Sequence, residues 1–456
     1  MAFVFFFTSC EDFLEVEAPD HKIISATVFN NDETAQSAMT GIYNELFRAS
    51  YSGGWENSVH VLAGLTSDEL KAIRINDLSL LEFDENAIQP ANERNLSLWA
   101  SAYSIIYMSN SLLEGLEASQ GISQDIKGSL EGESKFIRAF TYFYLVNLYG
   151  EVPLITTTDY RLNALAPQAN IDEIYQQIID DLTDSVSLLD VTYKENNRIH
   201  VNRYAAMALL ARVHLYLENW VEAERLSSEV LSATGTYEIL SDLDQVFLAN
   251  SREAIWQISP IGGSGGVFTY TNEASTFIFH PFFPSINKIA LRMELVNSFE
   301  EEDNRFEHWI GFHESTGNSY AFKYKDRSSM NNITEYSMVL RFAEQYLIRA
   351  EALAMQGKLT EAITDLDVIR ERAGLDLISN ANMDIDREML IELIREERKK
   401  ELFTEWGHRW LDLKRTGMAS SILPNKPSDW EDTDVLFPIP AQERMKNPNL
   451  NQNPGY

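Results

Sequence analysis

Three carboxylates at four-residue spacing, Glu397, Glu401 and Glu405 in LIREERKKELFTEWGHRWLDLKRTG, are the residues most able to do acid–base or metal chemistry. On a helix that spacing puts all three on one face. The cations around them, Arg398, Lys400, Arg409 and Arg415, favour an ion-pair network instead. GGSGG, centred on Ser264, matches the G-x-S-x-G nucleophile elbow. An elbow needs a strand and then a helix, whereas Val267–Tyr270 itself reads as a strand, so Ser264 is assigned to a flexible loop. His308 and His313 stand five apart with no third ligand nearby in sequence, and a zinc helix wants three or four. Phosphate-loop, dinucleotide and EF-hand patterns are missing from the sequence, and 69 acids offer too many carboxylate pairs for any one to argue glycosidase chemistry. The expectation is no catalytic residue, no metal site and no cofactor.

Cys10, the only cysteine, raises a different possibility. Phe3, Val4, Phe5, Phe6 and Phe7 precede it as an apolar run, followed by the small residues Thr8 and Ser9, and Glu11 and Asp12 come after it. A reactive thiol needs an electropositive setting, which two acids deny. A hydrophobic segment, small residues, a cysteine and a polar tether are what a bacterial lipoprotein requires, so Cys10 is expected to carry the lipid anchor. With no Lys or Arg ahead of the apolar run, the true initiator is expected upstream of Met1.

The elements that must position any site are mostly helical. DETAQSAMTGIYNELF places Ala35, Ala38, Met39, Ile42 and Leu46 at helical spacing behind an acidic cap at Asp32. Leu96–Leu116, Leu130–Tyr149 and Ile171–Leu189 follow as further helices, the second stopped by Gly150 and Pro153. Ala206–Ser232 and Gln345–Glu371 resemble one another, with Ala211 on Ala350, Ala223 on Ala362, and a turn at Asn219 or Gly357. That is the helix-turn-helix logic of a tetratricopeptide unit. Between them lies an insertion over about 237–337, rich in glycine, proline and aromatics, of a length that usually serves function. Prolines 438, 440, 448 and 454 predict an extended tail over 435–456 without helix. The net charge of −32 makes nucleic acid and anionic lipid surfaces poor partners.

The chain resembles the SusD-like (RagB/SusD) nutrient-binding lipoproteins of Bacteroidota. The resemblance is carried by SCEDFLE, TGIYNEL, LWASAYSIIYMSNSLLEGL, GESKFIRAFTYFYLVNLYGEVPLI, the Leu393–Gly417 stretch and FPIPAQERMKNPNLNQNPGY. It implies a mainly α fold: four tetratricopeptide-like helix pairs on one flank and an irregular, loop-rich half with short strands on the other. The domain organisation is then a signal-peptide remnant over 1–9, a lipidated tether over 10–31 and one domain over 32–456. It further implies a cell-surface, outer-membrane location, an oligosaccharide ligand bound without cleavage, and a SusC-like TonB-dependent transporter as partner. A surface-anchored glycosidase and a peptide-binding member of the same family are the alternatives.

Sugar rings present apolar faces that stack on aromatics, while their hydroxyls need polar partners. Of the eight tryptophans, Trp99, Trp220, Trp256, Trp406 and Trp410 fall in expected helices or a strand, and Trp430 near the tail. The expected ligand contacts are therefore Trp55 with Tyr51 in YSGGWEN, and Trp309 with Tyr320 in the irregular half. Asp68 and Arg74 supply polar groups, with Tyr270 and Phe282 added from the insertion.

Overall fold

The computed structural model describes residues 28–262, 269–329, 332–380 and 384–456. Cys10 and Ser264 lie outside them, as does the start of the Val267–Tyr270 strand; Thr269 and Tyr270 lie within them and are irregular.

Helix α1 (Asp32–Arg48) is capped one residue earlier than expected, by Asn31. The Asn31 side chain accepts from Thr34 N at 3.0 Å, and Asp32 and Glu33 fill the first turn, where the macrodipole favours acids. Its Ala35, Met39, Ile42 and Leu46 are buried, as the spacing requires. Next come α2 (Val59–Thr66), α3 (Glu93–Ala118), α4 (Gln124–Tyr149), α5 (Ile171–Leu188), α6 (Arg203–Tyr216) and α7 (Trp220–Leu231). After the insertion follow α8 (Phe342–Met355), α9 (Leu359–Arg372), α10 (Arg387–Leu402) and α11 (His408–Arg415). From α3 to α11 each helix packs on the next, giving a helical solenoid.

The two similar stretches are the hairpins α6–α7 and α8–α9, and they touch through α7 and α8 despite the insertion between them. Ala211, Ala350, Ala223 and Ala362 are all fully buried at the crossings, where a small residue lets the backbones approach. Their turns share one shape: Glu218 adopts φ 58° where Gly357 adopts φ 78°, and the following residues, Asn219 and Lys358, have nearly equal dihedral angles.

Among the described residues there are four two-stranded sheets, all antiparallel. Strands β1 (Leu70–Ala72), β2 (Val152–Pro153), β3 (Gln168–Ala169), β4 (Ala254–Ile258), β5 (Ile289–Leu291), β6 (Ile310–His313), β7 (Asn318–Ala321) and β8 (Ser337–Arg341) pair as β1–β5, β2–β3, β4–β8 and β6–β7. Two of the sheets, β1–β5 and β4–β8, tie the insertion to this scaffold. The fully buried β4 and β8 close the insertion at its base, with Phe342 N donating to Glu253 O at the start of α8. Register Leu70↔Leu291 to Ala72↔Ile289 fastens the segment after α2 to the far side of the insertion.

The C-terminal segment departs from expectation. It contains a helix, Ala441–Lys446, with Pro440 at its N-cap, because a helix start does not need the amide that proline lacks. The remainder is extended and fixed to the α3–α4 end, with Phe437 N donating to Leu148 O and Asn453 Nδ2 to Tyr149 O. Among the described residues no helix is long and apolar enough to cross a membrane.

Candidate functional site

The glutamate face of α10 is an interior electrostatic lattice. Arg341 reaches Glu401 at 2.5 Å, Glu405 at 2.8 Å and Glu253 at 3.0 Å. Arg305 meets Asp303 at 2.8 Å, Glu397 at 2.6 Å and Glu401 at 3.0 Å. Arg372 pairs with Glu253 and Glu401, Lys323 with Glu405, and Arg370 with Glu397. Five carboxylates thus meet five cations from the insertion, β8 and α9; Glu397 and Glu401 lie on α10, whereas Glu405 lies past its end at Leu402, in a turn where Thr404 and Trp406 take positive φ. Burial pushes the Glu401 carboxyl up, but Arg372, Arg341 and Arg305 outweigh it and hold it well below the usual range. An acid so saturated cannot shuttle protons at neutral pH. The ion-pair reading therefore holds with different partners: Arg398, Lys400, Arg409 and Arg415 instead neutralise Asp412, Glu300, Asp68 and Glu351.

Three of the expected ligand contacts belong to this interior. Trp309 is fully buried; its Nε1 donates to Leu243 O at 3.2 Å, and Lys323 Nζ sits 4.8 Å from its ring. It roofs the lattice instead of facing solvent. Tyr51 is also fully buried, with its hydroxyl 2.8 Å from Thr141 Oγ1. Asp68 is spent on a bidentate pair with Arg409 at 2.7 and 2.8 Å. The loop patterns that drew attention to these residues carried no signal separating an outward aromatic from one turned inward.

The other five lie on the loop 278–287, on segments that approach it, or, for Trp55, beside the short helix Asn272–Phe277 that precedes it. Asn287 shapes it from inside: buried, its Oδ1 accepts from His280 N at 2.8 Å and its Nδ2 donates to Ile278 O at 3.1 Å. His280 Nδ1 then accepts from Phe282 N and Phe283 N at 3.2 and 3.0 Å. That places the neutral ring's proton on Nε2. Two phenylalanines are left projecting, Phe282 81% and Phe283 62% exposed.

Neighbouring loops dock on this one. Asn272 Nδ2 donates to Gly53 O at 2.6 Å and Thr276 Oγ1 to Gly54 O at 3.3 Å, which presents Trp55, 42% exposed. Gly54 has φ 77°, and a Cβ there would lie 2.4 Å from the Glu273 carboxyl carbon, so the turn needs glycine. Arg74 Nε approaches Asn287 O at 3.4 Å, beside the β1–β5 pairing. Arg327 Nε donates to Ile278 O at 2.9 Å, and its charge acts on the Tyr270 phenol. On the β6–β7 hairpin Tyr320 lies over Gly311, where a Cβ would meet its ring at 2.2 Å, and its centroid is 5.5 Å from that of Phe279. The nearby acids Glu56 and Asp77 are occupied by Lys288 at 2.7 and 3.1 Å. The resulting surface alternates exposed aromatics with short polar groups on braced loops. Phe283, His280 and Arg327 belong to it, with Phe279 buried beneath as packing for Tyr320; two phenylalanines between prolines, in HPFFPS, were the available signal in the sequence.

Comparison with known proteins gives a consistent family. Residues 12–215 match the model described as "Starch-binding associating with outer membrane", and residues 319–423 match that of the SusD family. The SusD-like protein P25 of Formosa agariphila is 25% identical over 97% of this chain and 95% of its own length. The starch-binding protein SusD of Bacteroides thetaiotaomicron is 22% identical over 75% of each. Among solved structures, a SusD superfamily protein from Bacteroides vulgatus superposes with a TM-score of 0.81 at 22% identity, covering 93% of this chain and 99% of that one. A laminarin-binding SusD-like protein gives 0.77 at 25% identity, covering 94% and 100%.

Proposed function

The chain belongs to the SusD family, and on that premise we propose that it is a non-catalytic glycan-binding protein of the cell surface, anchored in the outer membrane through Cys10. It passes oligosaccharide to a SusC-like TonB-dependent transporter. The observation that supports the binding reading is the 278–287 loop with the segments beside it: Phe282 lies on the loop, Arg74 and Tyr320 approach it, Tyr270 stands near Arg327, which bonds it, and Trp55 follows Gly54, which is bonded to the helix before it. Exposed rings next to fixed donors suit a polymer whose units offer apolar faces and hydroxyl edges. Binding without cleavage also fits the acids most open to a catalytic reading, Glu397, Glu401 and Glu405, each of which is locked in ion pairs.

Native affinity gels cast with a panel of polysaccharides test this reading, alongside a reducing-end assay on the same mixtures. Retardation without new reducing ends is expected. Release of shorter products would replace it with a glycosidase. Co-purification with a transporter encoded beside this chain tests the delivery step.

A further inference from the structure

Most arginines of this protein meet a carboxylate, as Arg94, Arg138, Arg212 and Arg292 do. Among the described residues, the cations that find none include Arg198, Arg203, Lys414 and Lys426, which are spent on backbone carbonyls of the interior and the helix ends. Arg74 and Arg327 find none either, and both sit on the candidate site. Each uses Nε on a backbone carbonyl, Asn287 O for Arg74 and Ile278 O for Arg327. Neither forms an ion pair among the described residues. Asn287 links them, since its Nδ2 shares Ile278 O with Arg327 while its own carbonyl receives Arg74. Both side chains are part-buried against the loop, which fixes their stems and leaves the Nη edges as forked donors. His280, between them in sequence, adds an Nε2 donor, because its Nδ1 is already accepting. Part-buried, solvent-facing guanidinium edges without a protein counter-ion, next to exposed rings, are open to an anion that a ligand brings.

We propose that the ligand of this loop cluster is an anionic glycan, whose carboxylate or sulfate groups are gripped by Arg74 and Arg327 from the two ends of the 278–287 loop while its sugar faces lie against the neighbouring rings. This rests on the glycan-binding reading above and adds the charge of the substrate to it. The protein's overall negative charge does not forbid such a ligand: beyond about 8 Å at physiological ionic strength it is largely screened. At contact the guanidinium forks decide, and their planar geometry matches carboxylate and sulfate oxygens.

Calorimetry on the purified full chain separates the possibilities with matched polymers. Polygalacturonate is compared with its methyl ester, and a sulfated galactan with the same galactan after desulfation; the two arms distinguish carboxylate from sulfate. The charged member of at least one pair is expected to bind about tenfold tighter than its neutral counterpart, with affinity falling as salt rises. In the double variant Arg74→Gln, Arg327→Gln that preference disappears while the melting temperature stays near wild type, and Arg74→Lys, Arg327→Lys retains part of it. Equal or tighter binding of the neutral polymers overturns the charge inference and leaves the glycan reading standing. Binding of no polysaccharide overturns both. A preference for the charged polymer that survives the glutamine variant shows that these arginines are not its source, and the proposal fails.

Discussion

Single residues of this protein divide by whether they serve the interior lattice or the loop surface, and the two groups respond oppositely to mutation. Replacing Glu401 with Gln removes a counter-ion from three buried cations at once, for which a loss of about 3–5 kcal/mol is expected. Thermal denaturation should show a large drop in melting temperature, while the folded fraction keeps its ligand affinity. Replacing Trp55 and Phe282 with Ala should do the reverse: affinity falls several-fold at an unchanged melting temperature, since a stacked ring contributes about 1 kcal/mol and both side chains are exposed. Buried acids also set a pH signature. Burial pushes Glu69 up to about 8 and Glu273 up to about 7. A carboxyl with a raised folded-state pKa stabilises the fold fully below its ordinary value and loses that contribution as pH climbs through about 7 to 8. Glu401 and Glu405, with lowered pKa, contribute above the ordinary value and lose it as pH falls. Melting temperature measured against pH should therefore decline on both sides of a maximum. In the double variant Glu69→Gln, Glu273→Gln the alkaline decline should shrink. Lys323, Lys414 and Lys426, which burial brings down to about 8, about 7 and about 7, act with the opposite sign from there up to the ordinary lysine value, so comparison with the variant is what isolates the two glutamates.

At the scale of elements, helices were legible and the loops were not, for a physical reason. A helix announces itself through local spacing: α1, α4, α5 and the α6–α7 and α8–α9 hairpins all follow from apolar periodicity and small residues at crossings. The short helix Ala441–Lys446 escaped because proline was read as a breaker when it also starts helices. Loop geometry depends on partners remote in sequence, such as Arg74 with Asn287 or Asn272 with Gly53, and no local pattern encodes them. Hence Trp309 and Tyr51 looked like surface rings while both face inward, and the site became visible only once 278–287 could be seen as its hub. That loop should behave as one element. Asn287→Ala removes both side-chain bonds that shape it, leaving His280 N to find water and Ile278 O with Arg327 alone. Hydrogen exchange over 278–287 should accelerate, and ligand affinity should fall more than Trp55→Ala alone achieves, with the helices unaffected. Unchanged exchange would mean that the neighbouring contacts suffice to hold the loop.

The whole molecule is an acidic helical solenoid with a braced loop surface, and its attachment is the remaining physical question. Nothing in its charge would hold it on a membrane: at −32, an anionic leaflet repels it, and among the described residues no helix can span a bilayer. The proposed attachment through Cys10 would supply what is missing, because acyl chains contribute about 0.8 kcal/mol per buried methylene and more than one chain makes anchoring stable. The family match to proteins associating with the outer membrane gives the same direction. Cys10→Ala, expressed from the full gene in cells lacking the neighbouring transporter, should move the protein from the membrane pellet to the soluble fraction. The shift should be independent of salt, as expected for a hydrophobic anchor and not for charge adhesion. With the transporter restored, part of the variant should return to the pellet if the two proteins bind directly, and that fraction measures their affinity without the lipid. A variant that sediments fully in the transporter's absence would place the anchor elsewhere than Cys10.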